Sequence, residues 1–213
     1  MSTIMTKRNA LAGPRVAAAL EKNHFGACYF ATKEEALEKV MSLIPHDHVV
    51  SWGGSKTLAA LGIMERLQEE GYQTLDRSKG KTLEEQNEIM RKALLCDTFL
   101  MSSNAITEDG QLFNIDGTAN RVAALCFGPR SVIVVAGMNK VVKDMKAAYD
   151  RVRNYAAPCN MQRFEGRKTP CAVTGMCGDC HSTDSICNQM VFTRNSRPAG
   201  RIKVILVGED LGI

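Results

Sequence analysis

RSVIVVAG, residues 130–137, is the stretch whose reading decides the fold. A strand with one wet face alternates apolar and polar side chains, whereas Val132 to Ala136 is apolar without interruption. Such a run predicts a strand covered on both faces, the situation of a parallel sheet with helices packed on either side. Outward from it, RIKVILVGEDLGI (201–213) repeats the pattern and ends in glycines, and DTFLMS (97–102) precedes it. DHVVSW (47–52) runs into Gly53-Gly54, while YQTLD (72–76) and ACYFAT (27–32) are further strand candidates.

Between the strands lie segments with helical spacing. LAGPRVAAALEKN (11–23) predicts an N-terminal helix, and KEEALEKVMSLI (33–44) places Leu37, Val40, Met41 and Ile44 on one face before Pro45. SKTLAALGIMERLQEEG (55–71) predicts one helix, and TLEEQNEIMRKALLC (82–96) opens with the capping-box spacing of Thr82 and Glu85. KVVKDMKAAYDRVRNYAA (140–157) predicts another, ending before Pro158. The expected fold is therefore α/β, a Rossmann-like, mostly parallel sheet with helices on both faces. An N-terminal helical segment (1–26) precedes one α/β domain (27–213), which contains a cysteine-rich loop segment (158–190) inserted before the last strand.

With 45% apolar and 23% charged residues the chain has the balance of a globular domain. The net charge of +4 is dispersed and aromatics make up only 6%, which argues against nucleic acid as a partner. No stretch has the h-region of a signal peptide or the roughly 18–20 apolar residues of a membrane span, so a cytoplasmic protein without a membrane partner is expected. In a reducing compartment, clustered cysteines more often bind metal or do redox chemistry than form structural disulfides.

Ligands of open α/β sheets sit beyond the carboxyl ends of the strands. Three predicted loops fall there. SWGGSKTL (51–58) offers Gly53, Gly54, Ser55 and Thr57, where backbone N–H groups and hydroxyls suit a phosphate or carboxylate; a plain turn capped by Ser55 is the alternative. MSSNAITEDGQLFNIDGTANRVAAL (101–125) is the densest polar stretch, with Asn104, Glu108, Asp116, Asn120 and Arg121. EDGQ reads as a hairpin turn and IDGTANR as a turn into a helix, and Asp116 or Glu108 is a general-base candidate. VAGMNKVV (135–142) puts Asn139 and Lys140 beyond the best strand, Lys140 either pairing with an anionic ligand in a catalytic site or simply solvated.

TPCAVTGMCGDCHSTDSICNQM (169–190) spaces Cys171, Cys177, Cys180 and Cys187 as Cys-x5-Cys-x2-Cys-x6-Cys. Four thiolates suit tetrahedral zinc or an iron–sulfur cluster. His181 could replace one of them, Cys159 is a fifth candidate, and a thiol-redox role for CGDC lacks the strand-to-helix setting that lowers a thiol pKa. Cys28, Cys96 and Cys126 lie in apolar stretches and are expected to fill core.

Taken together, SWGGSKTL, NAITEDGQLFNIDGTANRVAAL, FGPRSVIVVAGMNKVV, RVRNYAAPCN and RIKVILVGEDLG resemble the LUD-domain family from about residue 46 onward. The resemblance implies a superfamily shared with ribose-5-phosphate isomerase, glucosamine-6-phosphate deaminase and CoA-transferases. By that analogy Gly53, Gly54, Ser55 and Thr57 line an anion pocket, with Asp116, Gly117, Asn120, Arg121, Asn139 and Lys140 nearby. No residue matches the CoA-transferase glutamate clearly; Glu209 in GEDLG is a candidate that nothing else in the sequence supports. The family is linked to lactate utilisation beside iron–sulfur partner proteins. That implies a small anionic organic acid or phosphorylated ligand and favours a four-iron (4Fe–4S) cluster over zinc. A non-catalytic relay or scaffold subunit and an isomerase or transferase remain alternatives, and a homo-oligomer is compatible with the architecture.

Overall fold

The computed structural model describes residues 3–213. Its strands are β1 (Gly26–Phe30), β2 (Val49–Trp52), β3 (Gln73–Leu75), β4 (Thr98–Met101), β5 (Ala105–Thr107), β6 (Leu112–Asp116), β7 (Ser131–Gly137), β8 (Val141–Val142), β9 (Gln189–Thr193) and β10 (Ile202–Val207). Its helices are α1 (Thr3–Lys22), α2 (Lys33–Ser42), α3 (Lys56–Leu61), α4 (Ile63–Glu69), α5 (Leu83–Lys92), α6 (Asn120–Cys126), α7 (Met145–Arg151), α8 (Ala157–Met161) and α9 (Pro170–Thr174). No helix among the described residues is long and apolar enough to cross a membrane.

Six strands form one sheet in the order β1-β10-β7-β4-β2-β3, and every neighbouring pair is parallel. The reason lies in β7, which is buried along its whole length. Val132, Val134 and Ala136 pack with Leu20 of α1 and Leu125 of α6, while Ile133 and Val135 pack with Val40 of α2 and Leu58 of α3 on the other face. Burying the apolar side chains of this one strand contributes on the order of 10 kcal/mol, comparable to the whole net stability of a domain. The N-terminal segment belongs to this core as well, since Val16, Ala17 and Leu20 of α1 share the cluster that holds β7 and β10.

A second sheet, in the order β8-β5-β6-β9, is mixed: β5 and β6 form an antiparallel hairpin through the predicted EDGQ turn. Alternation along β6 divides its work. Phe113 and Ile115 pack with Ala148 and Val152 in a small core of their own, while Leu112 joins the large core. Asn114 and Asp116, on the Leu112 side, are thereby turned towards the ends of the large sheet. β8 and β9 were not expected from the sequence.

Local expectations are corrected at several points. The helix foreseen from Ser55 to Gly71 is broken at Gly62, whose left-handed φ of 72° ends α3 and opens α4. Val141 and Val142, read as the start of a helix, pair with β5 instead, and α7 begins only after Asp144, whose side chain accepts from the Ala147 N–H at 2.9 Å. That helix does not stop before Pro158. Residues 152–156 form a π turn in which the Ala157 N–H reaches back to the Val152 carbonyl, and the widened turn passes Pro158, which has no N–H to donate, into α8. Cys126 is exposed rather than core, whereas Cys96 is buried and Cys28 packs against the core partly buried.

Candidate functional site

The loops after β2, β4, β7 and β10 meet over the carboxyl ends of the parallel strands and enclose a cavity of about 470 Å³. Gly54, Ser55 and Thr57 reach it from β2, Ser102 to Asn104 from β4, Lys140 from β7, and Asp116, Gly117, Asn120 and Arg121 from the β6–α6 turn. The ligand position expected of an open α/β sheet and the polar loops marked in the sequence coincide here.

At the floor is Lys140, 4% exposed, whose Nζ donates to Thr57 Oγ1 at 2.8 Å and to Ser102 Oγ at 3.0 Å. Neither partner is charged. Burial, reinforced by the like charges of Arg151 and Arg121, pushes its amine down from 10.5 to about 7. Thr57 is itself held by donating to the Leu211 carbonyl, so the segment after β10 folds over the floor.

Arg121 is the knot of the site. Its Nε donates to Asp116 Oδ1 at 2.9 Å, and its terminal nitrogens donate to Asn114 Oδ1 at 2.6 Å, Asn104 Oδ1 at 2.8 Å, and the carbonyls of Ser102 and Ile115. Asp116 Oδ2 accepts from the Val122 N–H, so both carboxylate oxygens are engaged within the protein. This network clamps β4 to β6, tying the two sheets together at the cavity edge. Gly53 makes room for it: a Cβ there would lie 3.0 Å from Arg121 Cδ. Gly53 therefore supports the wall from behind, and Arg121, with its N–H groups occupied by protein, holds the wall's shape.

Besides Gly53, three expected site residues stand outside the cavity lining. Glu108 is exposed in the hairpin turn and pairs with Lys143 at 2.9 Å. Asn139 accepts from the Leu211 N–H through Oδ1 and from Arg151 through its carbonyl, pinning the last segment. Glu209 accepts from the Lys33 N–H at 2.7 Å, at the start of α2.

The outer wall was not anticipated. Arg163 and Arg167 follow α8, and Thr183, Ser185, Ile186 and Asn188 come from the cysteine segment. The segment is seated by Asn188, whose N–H donates to the Asp116 carbonyl at 2.9 Å and whose Nδ2 donates to that of Gly117 at 3.1 Å. Lys56 and Arg77 complete the cationic lining, in which Asp116 is the sole side-chain carboxylate among the described residues and is already matched by Arg121, while Arg167 pairs with Asp184 at 2.9 Å. The signal available in the sequence was the run RFEGRK (163–168), whose basic residues have no helical or strand period to place them.

Behind that wall, Cys171, Cys177, Cys180 and Cys187 line one small cavity of about 20 Å³, and Ser185 and Ile186 border both cavities. Burial first, then Cys171, Cys177 and Cys180 as neighbouring charges, push the Cys187 thiol up to about 11, with Arg153 opposing them. Cys159 and His181 do not line this space. As a donor set, four soft thiols fit zinc or an iron–sulfur cluster. No three His, Cys, Asp or Glu side chains among the described residues form a single-ion coordination group. A cavity of this volume has room for about one water.

A six-stranded parallel sheet with helices on both faces and a cationic cavity over its strand ends defines a Rossmann-like α/β domain. The profile of the LUD domain matches residues 14–207, and the chain belongs to that family. Over 93% of this chain and 98% of the other, the fold is similar to a DUF162-family protein from Deinococcus radiodurans, with a TM-score of 0.54 at 13% identity. Partial likenesses extend to the eIF2B delta subunit from Chaetomium thermophilum (17% identity, 56% of this chain and 54% of that one, TM-score 0.36). Ribose 5-phosphate isomerase from Plasmodium falciparum is similar over 52% of each chain at 14% identity, with a TM-score of 0.33. Comparison with curated protein sequences gave no match.

Proposed function

We propose that this LUD-domain protein binds a small organic acid or phosphorylated metabolite in the strand-end cavity and serves organic-acid utilisation of the lactate type. The observation that carries the reading is the charge of the lining: Lys56, Arg77, Arg121, Lys140, Arg163 and Arg167 against the Asp116 side chain, with Arg121 matched by Asp116 and Arg167 by Asp184 just outside the lining. A concave surface with an excess of one charge draws in the opposite charge. Lys140 at the floor has only hydroxyl partners within the protein, Thr57 and Ser102, so its Nζ is open to a polar group of a ligand. In this reading Arg163 and Arg167 at the exposed rim capture the anion, Thr57, Ser102 and Asn120 orient it, and Asp116 and Arg121 hold the wall. Thermal unfolding with phosphate, pyruvate, lactate and CoA esters tests this: stabilisation by at least one, weakened by Arg163→Ala, is expected. No stabilisation by any would overturn it.

Cys171, Cys177, Cys180 and Cys187 would hold a 4Fe–4S cluster or zinc in the same proposal. A cluster would supply one-electron chemistry beside the cavity, and zinc would fasten the loop. The cysteines bracket the wall that carries Thr183, Ser185 and Ile186, so whatever they bind fixes one side of the anion cavity. The second reading, a relay or scaffold subunit for iron–sulfur partners, draws on that same adjacency. Visible absorption and metal content of anaerobically purified protein test the relay: it requires the broad visible absorption of a cluster, and colourless protein with stoichiometric zinc excludes it.

A further inference from the structure

We infer that the Lys140 amine is a nucleophile that condenses reversibly with the carbonyl carbon of a small anionic ketone or aldehyde held in the strand-end cavity. The inference rests on the anion-site reading and narrows its ligand to compounds that join a carbonyl to a carboxylate or phosphate. Three features of the geometry point to it. Lys140 is buried at the floor, while Lys56, Arg163 and Arg167 are exposed towards the rim, so an anion held at the rim leaves its other end facing the amine. The amine's partners at 2.8 and 3.0 Å are hydroxyls, which unlike a carboxylate do not hold it protonated. Arg151 and Arg121 nearby disfavour the ammonium further, and the resulting value of about 7 leaves a large fraction of the amine neutral at neutral pH.

The step balances without a co-reactant. The nitrogen lone pair forms the C–N bond, giving a carbinolamine. The nitrogen gives up its two hydrogens and the former carbonyl oxygen leaves as water, generating an imine with no net oxidation or reduction. Thr57 and Ser102 hydroxyls touch the nitrogen and can pass a proton from it to the departing oxygen.

Reductive trapping with cyanoborohydride tests the inference, using pyruvate for the carboxylate arm, dihydroxyacetone phosphate for the phosphate arm, and lactate as the control lacking a carbonyl. The expected result is one adduct per chain by intact mass, mapped to Lys140, formed fastest near pH 7 and suppressed by phosphate. It is lost in Lys140→Arg and in Lys140→Met, and lactate gives none. Labelling spread over surface lysines, or undiminished in both variants, overturns it. Should a variant fail to fold, peptide mapping and phosphate protection in the unaltered protein decide the matter alone. Stabilisation by phosphate without an adduct on Lys140 refutes the imine and leaves the anion site standing. Absence of stabilisation by every anion removes both.

Discussion

Replacing Lys140 by methionine should stabilise the protein near neutral pH, by an amount that follows from the amine's surroundings. In the folded chain its pKa lies at about 7 against an ordinary 10.5. With each tenfold change in proton affinity equal to about 1.4 kcal/mol, folding the protonated lysine at pH 7 costs roughly 4 kcal/mol relative to a neutral side chain. Methionine escapes that penalty but forfeits the hydrogen bonds to Thr57 and Ser102, about 1 kcal/mol each. The expected net gain at pH 7 is therefore about 2 kcal/mol. The sign with pH is fixed. A lysine with a depressed folded value has its full penalty below that value, and the penalty fades as pH rises towards the unfolded value. Lys140→Met should thus be most favourable below pH 7 and lose its advantage by about pH 9 to 10. Urea unfolding of both proteins at constant ionic strength from pH 6 to 10, followed by circular dichroism, measures the difference. An advantage independent of pH, or destabilisation at pH 7, would refute the buried-cation reasoning.

Other consequences follow from the same geometry. Arg121→Ala leaves the buried Asp116 carboxylate unpaired and should cost about 3–5 kcal/mol in chemical denaturation, more than any single rim arginine. Ala119 opens α6 with a φ of 67°, a left-handed conformation that glycine adopts freely, so Ala119→Gly should raise stability by about 1 kcal/mol. Cys180→Ser should abolish metal or cluster content and, through the shared Ser185–Ile186 wall, weaken phosphate binding; unchanged affinity in a metal-depleted protein would separate the two sites.

The sheet was legible because its strands are covered on both faces. Val132–Ala136 and Val204–Val207 run without a polar residue to alternate with, and a sandwiched position explains that. The loops beyond them followed from the same logic, which is why Thr57, Asn104, Asp116 and Lys140 converge as expected at one end of the sheet. What escaped has physical reasons too. Val141–Val142 and β9 make strands only because β5 and β6 lie beside them, a tertiary pairing that short local patterns do not announce. Pro158 signals a helix end unless a π turn precedes it, and nothing local marks that turn. Arg121 was readable as a polar site residue. Its role as a clamp depends on five acceptors supplied by the loop after β4 and by β6. Arg163 and Arg167 reach the cavity through the packing of the aperiodic cysteine segment.

Calorimetric titration with inorganic phosphate decides whether the cationic cavity over the strand ends is an anion site. The unaltered protein should bind phosphate at one site per chain, with affinity falling as salt is added. The Arg163→Ala/Arg167→Ala double variant should bind at least about tenfold more weakly while unfolding at a similar temperature. Phosphate and pyruvate both failing to bind, or binding undiminished by the double substitution, would mean that the cavity is not an anion site.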